Sequence, residues 1–260
     1  MMITLPLLIN CMKIRHSLIF LSVLFSSLLT AAPTGKVYFQ WGWNREAYSR
    51  STIHFTNGQE YDFYWEDVKA NDKPDFQAIP TLEVTIPQFS FRLGIRVAPQ
   101  WYIELNHDHA KYVVTPGQQI RMHGRINGQP VDTTGVLDNS EFHFEHTNGA
   151  NFWMVMAARK WDDIFKNKNT SVLVKAGAGL VYPKTDVTLF GNRLNNEFHV
   201  AGYIAGFESS IRYAIYHGLY LDLSGKVGYA NYINALTVDG GKASHSFYFA
   251  EGIFSIGYQF

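Results

Sequence analysis

Phe247-Tyr248-Phe249-Ala250-Glu251-Gly252-Ile253-Phe254-Ser255-Ile256-Gly257-Tyr258-Gln259-Phe260 closes the chain and decides how the rest is read. Side chains of a strand alternate between its two faces. One face here is Tyr248, Ala250, Gly252, Phe254, Ile256, Tyr258 and Phe260. The other is Phe247, Phe249, Glu251, Ile253, Ser255, Gly257 and Gln259. The first is greasy to its tip, and the second carries small and polar groups over most of its length. A soluble sandwich would bury the greasy face. A barrel in lipid would turn it to the membrane and turn Glu251 and Gln259 to the lumen.

Seven more segments alternate in the same way. They run over about 36–47, 88–97, 101–113, 150–161, 171–183, 198–215 and 219–231. In 88–97, Phe89, Phe91, Leu93, Ile95 and Val97 oppose Ser90, Arg92, Gly94 and Arg96. In 219–231, Leu219, Leu221, Leu223, Val227 and Tyr229 oppose Tyr220, Asp222, Ser224 and Lys226. The segment 150–161 is apolar on both faces, so its register stays open; set by the rest, Arg159 falls on the lumen side. The segments are 10 residues or longer, against about 5–6 in globular sheets and about 9–11 in membrane barrels. Aromatics gather toward segment ends, with Trp41, Trp43, Trp101, Trp153, Trp161, Tyr182, Tyr229 and Tyr258 among them, as at membrane interfaces. Connections near 98–100 and 216–218 are short and one near 162–170 is intermediate. Four others, 48–87, 114–149, 184–197 and 232–246, are long.

The amino end reads as an export leader over residues 1–32. Lys13, Arg15 and His16 precede an apolar run from Leu18 to Leu29, and Thr30-Ala31-Ala32 supplies small residues for cleavage. The run is about a dozen residues, short of the roughly 20 that span a bilayer. Met12 begins such a leader by itself and is the expected true start. Cys11 is the sole cysteine, so the mature domain, 33–260, has no disulfide framework. The whole chain carries 22 basic and 22 acidic residues; losing Lys13 and Arg15 leaves 20 against 22, net −2. That excludes the bulk basic character of nucleic-acid binders. Aromatic residues make up 15% of the chain while mean hydropathy is −0.11, which suits a barrel whose polar lumen face dilutes its lipid face.

A strand ending in an aromatic resembles the carboxy-terminal signature of bacterial outer-membrane β-barrel proteins, which places Phe260 as the assembly signal. The loop text Gly42-Trp43-Asn44-Arg45, Asp67-Val68-Lys69-Ala70, Asp72-Lys73-Pro74 and Glu145-His146-Thr147 resembles an uncharacterised family of small outer-membrane barrels that brings no established activity. The resemblance implies an all-β fold: an eight-stranded antiparallel transmembrane barrel of a Gram-negative cell envelope. Its long loops would be extracellular, its short turns periplasmic, and both termini periplasmic. The implied partners are outer-membrane lipid, lipopolysaccharide and the barrel-assembly machinery, with no nucleic acid; oligomeric state is not legible.

On the polar faces lie Arg92, Arg96, Glu104, Asp108, Lys175, Glu208, Arg212, Asp222, Lys226 and Glu251, a nearly balanced set. Buried charges must be paired, and a barrel of eight strands has room for little beyond its own side chains. A salt-bridged plug is the first reading and a narrow polar path the second. His107 and His109 share a face of their segment and are the candidate metal ligands; otherwise they are polar rim residues. His143 and His146, with Glu141 and Glu145, lie in a loop whose alternation with Phe142 and Phe144 looks extended. Some outer-membrane barrels are lipid A deacylases that pair a histidine with a serine two residues on. After His146 that place is Asn148, so the nucleophile required by triad logic is missing. His107 and His146 stay as candidate bases, and no cofactor motif is present. The expected function is non-enzymatic, through the outer loops: adhesion, envelope integrity or ligand contact. The alternatives are a lipid A-modifying hydrolase and a narrow, porin-like channel for small solutes.

Overall fold

The computed structural model describes residues 36–58, 60–73, 88–146 and 149–260. The leader, with Cys11 and Met12, lies outside the described residues, and so does the pair Thr147-Asn148. The first strand, β1 (Val37–Tyr48), is followed by β2 (Ser51–Asn57), β3 (Tyr61–Val68) and the short β4 (Ala70–Asn71). Next come β5 (Phe89–Ala98), β6 (Trp101–Asp108), β7 (Tyr112–Val114), β8 (Gln119–Ile126), β9 (Gln129–Val136) and β10 (Phe142–His146). Then follow β11 (Phe152–Trp161), β12 (Thr170–Val181), β13 (Lys184–Leu189) and β14 (Asn192–Phe198). The last three are β15 (Gly202–Tyr216), β16 (Leu219–Leu236) and β17 (Lys242–Gln259).

Eight of these close a barrel in the order β1-β5-β6-β11-β12-β15-β16-β17, and β17 pairs back onto β1. Every neighbour is antiparallel. The closing seam runs from Tyr38↔Gln259 to Tyr48↔Phe249. Eleven residues at about 3.4 Å each, tilted by about 40°, span about 28 Å, enough for the roughly 25 Å apolar band of a membrane barrel. The outer wall supplies that band: Ile103, Leu105, Val155, Phe207, Leu223 and Ile256 stand exposed on it. Such a surface is stable only against lipid, and closure leaves no unpaired strand edge in the band. The fold is therefore a transmembrane β-barrel.

The two ends differ. At one, Tyr216 and Leu219 flank a two-residue turn in which His217 and Gly218 both take positive φ (38° and 86°), the mirror-image geometry that matches strand twist. Phe260 lies at this turn end, its amide donating to the Val37 carbonyl at 2.8 Å. At the other end the expected long loops are instead a folded head. Above its seam with β1, β17 exchanges partners: Lys242, Ala243 and Ser244 pair with Thr56, Phe55 and His54 of β2. The sheet continues through β3 and β8 to β9, while β14-β13-β10-β7-β4 form a second sheet. Phe55, Phe63, Trp65, Tyr112, Phe144 and Phe247 pack between them, fully buried or nearly so. Each large side chain buried this way contributes about 1.5–3 kcal/mol.

Several segment limits shift for the same reason, that the chain leaves the barrel to build the head. The third segment stops at Asp108, and Tyr112–Val114 join the second sheet. The sixth starts at Gly202, because 192–198 are a head strand. The seventh and eighth rise beyond the wall, to Leu236 and from Lys242. In β11 it is Phe152, Met154, Met156 and Ala158 that face inward. Arg159 thus points outward, its guanidinium 5.6 Å from the Trp101 ring and 5.0 Å from that of Trp161, at the turn end. Trp41 and Trp43 sit in mid-wall, opposite Ile256 and Phe254, away from either rim.

Candidate functional site

The lumen is filled by side chains that period-two geometry aims inward. Arg92 of β5 meets Asp108 at 2.6 Å, Glu208 at 3.3 Å and Glu104 at 3.8 Å. Lys175 of β12 bridges Glu104 and Glu208 at 2.9 and 2.8 Å. Lys226 of β16 contacts Asp108, lies 3.2 Å from Glu251 and lies 3.5 Å from Glu208. The Tyr38 hydroxyl donates to Glu104. All of these side chains are sealed from solvent. Toward the turn end, Arg212 pairs with Asp222 at 3.0 Å, donates to Gln40 at 2.9 Å and lies over the rings of Tyr38 and Tyr220. An apolar layer packs beside these charges, where Phe152, Met154 and Met156 of β11 stand opposite Asp108, Asn106 and Glu104, and Phe249 and Phe247 of β17 extend it toward the head.

One residue of the sequence set lies elsewhere, and one lumenal residue was missing from it. Arg96 has the same parity as Arg92, but it stands exposed at the turn end, where β5 slips register against β6 between Arg96 and Ala98. Glu46, absent from the set, is inside the barrel. It faces Glu251 across the seam, and the Asn44 amide donates to it at 2.5 Å and to Glu251 at 3.0 Å. Its signal was present in the alternation Tyr38, Gln40, Gly42, Asn44, Glu46.

His107 and His109 are not gathered with a carboxylate. His107 packs on the outer wall against Phe91 and Trp153, with ring centroids 5.1 and 4.4 Å away. His109 stacks on Phe89 and bonds Asn151 at 3.0 Å. His146 is buried in the head core. Its Nε2 lies 3.2 Å from Nε2 of His245, and its Nδ1 lies 3.0 Å from the Thr185 hydroxyl. Tyr232 stacks on both imidazoles at 4.6 Å. Burial, with each imidazole beside the other, pushes His146 well below the usual histidine range; burial pushes His245 down to about 3. Both rings are thus neutral. The Thr185-His146 contact lacks an acidic orienter and is closed to solvent on all sides.

Among the described residues, one mixed cluster has metal-compatible donors: His143, Glu145 and Asp186, with ligand atoms within 4.8 Å of one another. β10 places His143 and Glu145 on one face, and pairing with β13 sets Asp186 opposite Glu145. His143 Nε2 is 3.2 Å from Glu145, and Asn139 orients the other ring nitrogen at 2.9 Å. Asp186 is already held by Arg193 through two bonds of 2.8 and 2.5 Å, and these keep its carboxyl below the usual range. A cation entering here would have to displace that guanidinium. Sequence reading named His143 and Glu145 but could not see Asp186, which joins them only through strand pairing.

No protein-family model and no curated protein matches this sequence. Among solved structures the chain is similar to the outer membrane protein OprG from Pseudomonas aeruginosa. The identity is 9% and the TM-score 0.43, over 87% of this chain and 97% of that one. It is also similar to Ail, the attachment invasion locus protein of Yersinia pestis. There the identity is 13% and the TM-score 0.33, over 85% of this chain and 99% of that one.

Proposed function

We propose that the protein is an integral outer-membrane binding protein: the barrel is an anchor, and the head is the working part, displayed outside the cell. The observation that carries this reading is the contrast between the two halves. The lumen is filled by a buried ionic network, whereas the connections at one end build two sheets around their own aromatic core. A connection of about 40 residues in a compact domain without a task is uncommon, and here the described parts of the two longest connections form strands β2, β3, β4, β7, β8, β9 and β10. Adhesion and ligand contact are the roles this arrangement suits. Hydrolysis is less well supported, since His146 sits in a sealed core and His107 on the wall among aromatic rings.

Display can be tested with single cysteines, because the mature chain is expected to have none. We expect a membrane-impermeant maleimide to label Val136→Cys, at an exposed head position, on intact cells. His217→Cys, in the opposite turn, should be labelled only after lysis. The reverse pattern would overturn the proposed orientation.

A further inference from the structure

The outer wall of β15, β16, β17 and β1 carries two recesses of opposite chemistry, one directly above the other. The lower has a volume of about 660 Å³ and is lined by Ala47, Ala250, Ala205, Val227, Phe207 and the rings of Tyr229 and Tyr248. It exists because the register lines up small residues. Ala47 pairs with Ala250 within it; the row just below, nearer the turn end, extends it as a lane, with Gly252 opposite Gly225 on one side and Arg45 on the other, the Arg45 guanidinium drawn to Asp72 at 2.8 Å. Space over both of these glycines is open. The next row down, Phe254 opposite Leu223, is bulky and ends the lane. From Tyr248 to Phe254 is six residues, about 20 Å of strand at about 3.4 Å each, the reach of one extended acyl chain.

The upper recess has a volume of about 480 Å³ and begins one alternation further along the same strands, where Tyr229 gives way to Asn231 and Tyr248 to Ser246. Its other walls include Thr52, His54, Tyr64 and Ser244, with Ile233 at its edge and Tyr232 and His245 at its back. The His54 ring stacks on Tyr64 at 4.0 Å and is fixed by Asp62 at 2.7 Å. No lysine or arginine lines it. Hydroxyls, an amide, an imidazole and ring surfaces suit the uncharged hydroxyls of a sugar better than a bare phosphate, which selects guanidinium and ammonium groups. The tyrosine pair between the recesses stands at the apolar-to-polar transition of the wall, where membrane-interface aromatics belong.

We infer that these two recesses form one site for a single outer-leaflet glycolipid, with an acyl chain in the alanine-glycine lane and its saccharide between His54, Tyr64 and Ser246. The inference rests on the proposed orientation, which puts the head and this wall at the outer leaflet. It gives the displayed head a ligand at its base and fixes how the head lies relative to the membrane.

The test is native mass spectrometry of the full-length protein in a sugar-free polyoxyethylene detergent, titrated with lipid A or with phosphatidylglycerol. We expect one lipid A to be retained at least tenfold more tightly than phosphatidylglycerol. Ala250→Trp fills the lane and should abolish that retention; the milder Ala250→Leu should weaken it severalfold. His54→Ala with Tyr64→Ala should bring lipid A down to the phosphatidylglycerol level. Leu105→Trp, on the opposite wall, should change nothing. Equal retention of the two lipids, or undiminished retention in Ala250→Leu, would mean annular lipid only and would overturn the site. Heat-modifiable gel mobility shows that each variant folds. If Val136→Cys is labelled on cells and the lipid preference is absent, only this inference falls; if Val136→Cys is not labelled, the orientation beneath it falls too.

Discussion

At the scale of single residues, parity along a strand fixes the face but not the depth. Arg92 and Arg96 share a face of β5, yet one meets three carboxylates and the other stands in the open, because Arg96 lies one alternation from the turn-end limit of the wall at Ala98. Arg159 was legible as an arginine beside Trp161, but its direction depended on a strand apolar on both sides. The buried imidazoles of His146 and His245 were out of reach for another reason: residues 99 apart in sequence meet only when β10 packs under β17. Their burial gives the head a pH dependence. In an opened head each imidazole takes up a proton near pH 6.5, whereas in the folded head His245 does so only near 3. A group whose folded value is depressed supports stability above the unfolded value and loses it as pH falls. For His245 alone the loss between pH 8 and pH 5 is about 2 kcal/mol. Hydrogen exchange of the head amides should therefore quicken from pH 8 to 5, after correction for intrinsic rates, while the barrel amides keep their protection. In His245→Phe most of that extra quickening should vanish, and an unchanged pH slope in the variant would rule out the imidazoles as its source.

At the scale of elements, the eight wall strands were readable because each alternates apolar with polar over ten or so residues, the signature of a sheet between lipid and a filled lumen. The head strands were not, because most are short and several are polar on both faces. β9, Gln129–Val136, has almost no buried side chain. Turn chemistry was the available signal: Asn127-Gly128 takes positive φ at both residues (52° and 75°) between Ile126 and Gln129, the strongest short-range hairpin cue. Phe190-Gly191 makes the same turn between β13 and β14 with a bulky residue in the first position, which sequence alone would argue against. β9 is held by its pairing with β8, whereas β2, β3, β10 and β13 are held by the shared core. Trp65 is sealed among Phe55, Phe63 and Phe142, with the Phe55 ring at 4.6 Å. Trp65→Ala should destabilise the head by about 3–5 kcal/mol, as truncating a buried aromatic does. Limited proteolysis should then cut β2, β3 and β8 in the variant under conditions that leave the native head intact, while the barrel keeps its folded gel mobility. Loss of both together would show that head and barrel form one cooperative unit.

At the scale of the whole molecule, two sets of side chains of different physics, one ionic and one apolar, fill the lumen together. The ionic layer is strong only as a set: Lys175 bridges Glu104 and Glu208, and removing it leaves two buried carboxylates short of a partner. Breaking a buried pair in this way costs about 3–5 kcal/mol. The apolar layer lies beside it as well as above: Phe152, Met154 and Met156 of β11 stand opposite Asp108, Asn106 and Glu104 in the register with β6, and Phe249 packs with them. A charge deletion should therefore weaken the barrel without opening it. We expect the purified protein to be silent in planar bilayers, and Lys175→Ala to be equally silent while its heat-modifiable transition moves to a clearly lower temperature. Conductance steps in Lys175→Ala alone would show that the ionic layer is the seal and the apolar layer is not. Steps in the native protein would restore the channel reading. Silence in both, with the lowered transition, would fit a barrel that serves as an anchor and leaves contact with the surroundings to its head and outer wall.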